Sequence, residues 1–306
     1  MKIIYFIISL ISLIGLTICN ISATEYFLSC NKARLIGINT KYLVPNNRQS
    51  LEAIASEFQI GLLGMIEANI GIDPYLPKHG IMLNIPLQML LPDTKYDGII
   101  INLAELRLYS FSKLRNKVVV YPIGIGQLGA STPTMVTTVS QLIKNPTWTP
   151  TENIRKRYAI DGIILPEVFP SGPDNPMGFY ALRLSYDKGQ YLIHGTNVNF
   201  GIGLRISSGC IRLRRDDIKS LFYSISVGTR VQIINEPIKY SREPDNNYYI
   251  EVHQPLSESE SDNPQTMPLI YSNSFKIFLQ QPDIDKEIVI QAIARRSGMP
   301  VKVNKT

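Results

Sequence analysis

The stretch Tyr191-Leu-Ile-His194-Gly-Thr-Asn-Val-Asn-Phe-Gly-Ile-Gly-Leu-Arg-Ile-Ser207-Ser-Gly-Cys210-Ile-Arg212-Leu constrains this chain more than any other. A short apolar strand ends in a histidine, a glycine-rich loop follows, and the loop lands on a cysteine framed by small residues. A cysteine nucleophile needs a nearby base, because the thiolate attacks and a free thiol titrates near pH ~8.5. A fold that uses this pair must close the loop and bring its two ends together. The small residues before Cys210 leave room for a substrate carbonyl, and their amides are candidate oxyanion donors. The competing explanation is a buried cysteine and a core histidine that are merely close in sequence, since local cysteine signatures do not transfer between families.

Lys2 precedes an apolar run from Ile3 to Cys19, with Ile21-Ser22-Ala23 after it. A basic start, a hydrophobic region and a small-residue exit read as a secretory signal peptide over 1–23. An uncleaved anchor is the alternative, although a span needs ~20 apolar residues. Export would put the mature chain in an oxidising compartment, with Cys30 and Cys210 as its thiols. An exposed thiolate there is prone to oxidation, so a thiol-reducing partner is expected. The formal charge of +6 is mild. It suits an acidic polymer, and no basic cluster interleaved with aromatics points to nucleic acid.

Residues 40–86 form a small unit by pattern. Tyr42-Leu-Val44 reads as a strand, Ser50 as an N-cap, and Leu51, Ile54, Ala55 and Phe58 repeat at helical spacing. Leu62, Met65 and Ile66 give a second helix, and Ile81-Met-Leu-Asn-Ile85 a closing strand stopped by Pro86. The order is βααβ. From 97 to 235 β patterns dominate. Strands are expected over 99–103, 106–111, 117–121, 179–184, 191–194 and 229–234, the first two joined by a two-residue hairpin at Ala104 and Glu105. A short helix is expected over 216–223. Together they predict a mainly β, two-sheet core resembling a sandwich. Residues 144–178 hold Pro146, Pro150, Pro166, Pro170, Pro173 and Pro176, so regular structure is not expected there. Trp148, Ile163, Leu165 and Phe169 argue for an ordered flap or wrap. Residues 236–306 read as an extension packing on the core, with a strand near 248–253 and a helix over 283–297 stopped by Gly298.

His194-Gly-Thr-Asn with Ser207-x-Gly-Cys210-Ile-Arg212 resembles the active-site motif of the L,D-transpeptidases, the YkuD-type enzymes of bacterial cell walls. The resemblance extends through Tyr121–Gly129, 145–150, 172–178, Val231–Pro237 and Glu251–Leu256, and is similar to the periplasmic branch that attaches Braun's lipoprotein to peptidoglycan. Beside it, the βααβ unit resembles a LysM glycan-binding module; a featureless α+β subdomain is the alternative. The resemblance implies Cys210 as nucleophile and His194 as base, leaving His79 as a surface turn residue and His253 as structural. Ser207, Gly209 and Gly195 would support the site or its oxyanion donors, and Arg212, Thr196 and Ser208 would bind substrate. Ser208 stands where the family commonly has a second histidine. Implied partners are stem peptides, glycan and Braun's lipoprotein. The alternatives are 3-3 cross-linking, an L,D-carboxypeptidase, or a non-catalytic binding protein. No Cys/His cluster has metal spacing and no phosphate loop occurs, so no metal or cofactor is expected.

Overall fold

The computed structural model describes residues 23–305 apart from 30–31, 113–115 and 199. The signal-peptide reading and Cys30 therefore lie outside the described residues. Among the described residues no helix is long and apolar enough to cross a membrane.

Strand β1 (Thr24–Phe27) opens the described chain and is followed by β2 (Leu35–Ile36). The small unit runs β3 (Thr40–Leu43), α1 (Leu51–Glu57), α2 (Leu62–Ala68), β4 (Met82–Ile85). Ser50 caps α1 by accepting from the Ala53 amide, as its residue type predicts. Leu51, Ile54, Ala55 and Met65 bury one apolar stripe against Leu83 and Ile85, and β3 pairs antiparallel with β4. Asn69 locks α2 to β4, donating to the Met65 and Asn84 carbonyls and accepting from the Asn84 amide. β5 (Met89–Leu90), between the small unit and the central sheet, is buried and pairs with β2.

The central sheet takes β6 (Gly98–Asn102), β7 (Arg107–Ser112) and β8 (Lys117–Pro122) from the first expected strands. The β6–β7 connection is not a two-residue hairpin. Leu103–Glu105 forms a 3-10 turn and Leu106 takes a left-handed conformation at φ 53°. Leu106 and Leu108 join one core cluster while Tyr109 and Phe111 join another, so this part of the sheet is covered on both faces. After β9 (Ile125–Gly126) comes β10 (Met135–Lys144), a strand whose weak alternation gave no sequence signal.

The proline-rich region does carry regular structure. α3 (Glu152–Ile160) occupies the proline-free interval after Pro150, capped by Thr151. Trp148 and Phe169 pair by backbone and by rings 5.1 Å apart, and Asn175 donates to the Pro146 carbonyl, closing the base of the flap. Ile163, expected to need burial, is exposed.

Next come β11 (Tyr180–Leu184), β12 (Leu192–His194), β13 (Arg205–Ser207), β14 (Ile211–Arg212), α4 (Arg215–Ser224) and β15 (Arg230–Ile234). Among the described residues the main sheet has nine strands, ordered β1-β8-β7-β6-β15-β10-β11-β12-β14. The fold is mainly β as expected, and its two layers belong to one continuous sheet that curls over. Residues near opposite ends of the order, Tyr121 and Ile211, lie in one core cluster, and Gly124 bridges Arg212 with paired 2.8 Å bonds. The buried face of α4 (Ile218, Leu221, Phe222) plugs that core.

The tail has its own core. β16 (Ile238–Arg242), β17 (Tyr248–Val252), α5 (Asn273–Phe278), α6 (Lys286–Arg295) and β18 (Val301–Lys302) gather Tyr248, Ile250, Phe275, Phe278 and Val289. α6 begins after Asp285 and ends at Arg296 in the left-handed region, two residues before the glycine expected to stop it.

A buried charge cluster joins these parts. Lys239 Nζ lies 2.8 Å from Glu105 and 2.9 Å from Glu251, and Arg107 donates to the same two carboxylates at 3.0 Å. His253 bonds Glu67 of α2 through Nδ1 and Glu251 through Nε2, both at 2.8 Å. The small unit, the sheet and the tail each contribute a charge.

Candidate active site

β12 and β14 run parallel, with Ile193 opposite Ile211 and His194 opposite Arg212. Side chains alternate across a strand, so Ile193 and Ile211 enter the core while His194 and Arg212 leave it on one face. Cys210, one residue before Ile211, emerges on that same face, diagonally across from His194. Its sulfur accompanies the β12 backbone, 3.9 Å from the Gln190 carbonyl. The intervening loop is held down by backbone approach. Its Gly203 carbonyl and that of Ile202 accept from the first amides of α2, Glu52 accepts from the Gly201 amide, and a Cβ on Gly203 would meet Leu62 N at 2.2 Å.

His194 is buried and its Nδ1 lies 2.7 Å from the Gly195 carbonyl oxygen. A carbonyl only accepts, so Nδ1 carries the proton and Nε2 keeps its lone pair. Burial and the charge of Arg212 push the imidazole down to about 4, against the opposing pull of the Gly195 carbonyl. Cys210 is a free, half-buried thiol. Burial pushes it up, and a Leu192 backbone bond and Arg212 pull it back. At neutral pH the resting pair is thiol and neutral imidazole.

Arg212 stands on the same face with its Nε buried and unpartnered among the described residues. Burial lowers its affinity for a proton, and the groups that raise it are Tyr158 and Cys210, not a carboxylate. Tyr158 lies on α3 of the flap.

The structure sorts the remaining expected residues. Ser207 is buried; its hydroxyl donates to the Cys210 carbonyl at 2.5 Å and accepts from the Gly209 amide at 3.2 Å. The Gly209 amide is therefore directed at Ser207, which leaves the Cys210 amide as the candidate oxyanion donor. Gly209 has φ +103°, where a side chain would be strained. Gly195 is packed so closely that a Cβ would meet Ile218 at 2.9 Å. Thr196 is buried, and its hydroxyl both donates to and accepts from the Val198 backbone, shaping the loop. Ser208 is exposed at the mouth. Sequence reasoning missed Thr132, which is buried and donates to the Gly209 carbonyl at 2.9 Å; no spacing rule links residues 77 positions apart.

Of the other histidines, His79 is exposed and meets the Val44 carbonyl. His253 belongs to the charge cluster. Glu105, Glu251 and His253 would offer three ligand atoms within 4.8 Å of one another, but Lys239 already supplies the cation between the carboxylates.

A histidine and a free cysteine set beside an arginine whose Nε has no partner among the described residues are the groups a thiol-type acyl-transfer site would use. Residues 96–233 match the L,D-transpeptidase catalytic domain and residues 237–303 the L,D-transpeptidase C-terminal domain. The chain is 54% identical over 275 residues to the probable L,D-transpeptidase YcfS of Escherichia coli K12, covering 89% of this chain and 86% of that protein. It is 51% identical to the probable L,D-transpeptidase YbiS of the same strain, over 92% of this chain and 93% of that one. ErfK/SrfK of E. coli K12, also a probable L,D-transpeptidase, is 49% identical over 92% and 91%. The chain belongs to the L,D-transpeptidase family and is an enzyme of that kind.

Proposed function

We propose that Cys210 and His194 carry the reaction, acting on peptidoglycan stem peptides in the periplasm after export by the N-terminal segment. The observation that supports this reading is the β12–β14 register, in which His194 lies opposite Arg212, two residues after Cys210. The Cys210 thiol gives its proton to His194 Nε2 and its sulfur attacks the carbonyl at the L-centre of diaminopimelate in a tetrapeptide stem. The Cys210 amide receives the oxyanion. Collapse forms the thioester and expels terminal D-alanine, whose amine takes the proton from His194. An acceptor amine then gives its proton to the same imidazole and attacks the thioester, forming a new amide and restoring the thiol. Arg212, with no carboxylate partner among the described residues, grips the stem-peptide carboxylate. The flap holding Tyr158 borders the donor channel.

The acceptor we favour is the C-terminal lysine amine of Braun's lipoprotein, on the sequence resemblance. The βααβ unit, read as a LysM module, would hold glycan next to the loop that its α2 amides brace. No cofactor enters the scheme. Because burial keeps Cys210 a thiol at rest, oxidation should be slow, and a reducing partner would serve the turning-over enzyme more than the resting one.

Purified protein incubated with tetrapeptide muropeptides should gain the mass of the stem less D-alanine, and Cys210→Ala should not. Adding a lipoprotein C-terminal peptide should convert that adduct into a branched product. Release of free tripeptide with every amine acceptor tried would reassign the protein as a carboxypeptidase. Absence of any adduct would reduce it to a binding protein.

A further inference from the structure

We infer that Thr132 is a positioning residue for the acylation step, acting through the peptide unit between Gly209 and Cys210. The inference rests on Cys210 being the nucleophile. A peptide unit is planar and trans, so fixing its carbonyl fixes the direction of its N–H. The carbonyl of Gly209 and the amide of Cys210 belong to one such unit. Thr132 Oγ1 donates its single proton to that carbonyl at 2.9 Å and accepts from the Gly126 amide at 2.9 Å.

The neighbouring backbone groups are tied elsewhere. Ser207 accepts the Gly209 N–H and donates to the Cys210 carbonyl, which braces both flanks of the unit but not the unit itself. Gly209, at φ +103°, opposes its rotation little, because glycine has wide backbone freedom. The bond from Thr132 is thus what holds the Cys210 N–H on its heading toward the reacting carbonyl. The hydroxyl is buried and both its roles are filled, so it forms a relay: Gly126 N–H to Thr132 Oγ1, Thr132 O–H to the Gly209 carbonyl, and from the same unit the Cys210 N–H outward. Bonds in such a chain polarise one another and strengthen the last donor. Gly126 is required for the relay to close, since a Cβ there would meet Thr132 N at 2.5 Å.

The arrangement separates two properties of the site. Thiol alkylation generates no oxyanion and should not depend on Thr132, whereas acylation does. In Thr132→Val, which keeps the shape and loses the hydroxyl, the rate of D-alanine release should fall about 10²-fold, the usual cost of one oxyanion donor. KM should stay within about twofold, as for a group acting only in the transition state. Iodoacetamide should alkylate Cys210 at the wild-type rate, and Thr132→Ser should restore turnover. If the valine variant does not fold, Thr132→Ser and Thr132→Ala, which differ by the hydroxyl alone, make the same comparison. A folded hydroxyl-free variant with wild-type turnover overturns the inference, as does an alkylation rate that falls in step with acylation. Retained D-alanine release by Cys210→Ala would overturn the nucleophile assignment beneath it, and the inference with it.

Discussion

His194 and His253 are both buried, at 7% and 1% exposure, and their surroundings are opposite. Around His253 every charge is answered: Glu67 and Glu251 flank the ring, and Lys239 and Arg107 bind the carboxylates in turn. Burial lowers that imidazole, but the two carboxylates outweigh it and raise it to about 9. Around His194 the nearest charge is a guanidinium of the same sign as the proton it would gain, and the ring is left neutral. Buried polar groups are nearly always satisfied, so an unpartnered Arg212 Nε next to a thiol marks a place shaped for something that arrives. The cluster at His253 ties three parts of the molecule together; on the proposed function, the surroundings of His194 are left for a substrate.

The comparison breaks first, and most severely, if Cys210→Ala leaves activity. Loss of the nucleophile should remove thioester formation by at least about 10³-fold. The melting free energy should move by no more than about 1 kcal/mol, because half-exposed positions outside a paired network contribute little. A variant that unfolds would mean the cysteine supports the fold, and the two regions would no longer differ in kind.

The converse substitution is Lys239→Met. It leaves Glu105 and Glu251 buried side by side with only Arg107 and the protonated His253 to compensate, and breaking a buried pair in this way costs about 3–5 kcal/mol. Denaturant unfolding should show that loss, while thioester formation per folded molecule stays at wild type. Activity lost with stability intact would assign the cluster to the site.

Much of the molecule was legible before any coordinates. The β strands showed themselves where one face is buried and residues alternate, as in β15, or where both faces are buried and apolar residues run on, as in β6. β10 was silent because its faces are mostly polar and its pairing with β11 and β15, not its composition, makes it a strand. α3 was missed because prolines were counted over the whole flap, although they bracket a free interval long enough for a helix. His194 and Cys210 were legible because one loop joins them. Thr132 and the Glu105–Lys239–Glu251 cluster were not, since Thr132 meets Gly209 across 77 positions and Glu105 meets Lys239 across 134. Only the curl of the sheet and the docking of the tail bring them together.

Arg212→Gln sharpens the comparison at smaller scale. It removes the charge while keeping a polar side chain, so stem-peptide turnover should fall about 10- to 100-fold through lost carboxylate binding, a loss of roughly 1.4–2.7 kcal/mol. Because Arg212 helps lower His194 and Cys210, its removal should also let the imidazole titrate higher and push the thiol further up. An acid limb unmoved in this variant would show that the guanidinium acts on substrate alone.

The smallest effect concerns pH, and it reads both histidines at once. His194 works as a base only when neutral, and its pKa lies below the ordinary 6.5, at about 4. The acid limb of kcat/KM should therefore fall near pH 4, with activity persisting where an ordinary imidazole would be protonated. For stability the signs are opposite. The unfolded His194 takes a proton between pH 6.5 and 4 that the folded one refuses, so its contribution is lost on acidification through that window. The folded His253 keeps a proton that the unfolded one releases, so its contribution is full below pH 6.5 and lost as pH rises toward 9. Melting curves of the wild type at pH 6 and pH 9.5 should differ by up to a few kcal/mol in favour of pH 6, and His253→Gln should flatten that slope without shifting the acid limb of activity. A slope that survives the substitution would place the alkaline sensitivity elsewhere, and an acid limb that moves with it would join two regions that the structure keeps apart.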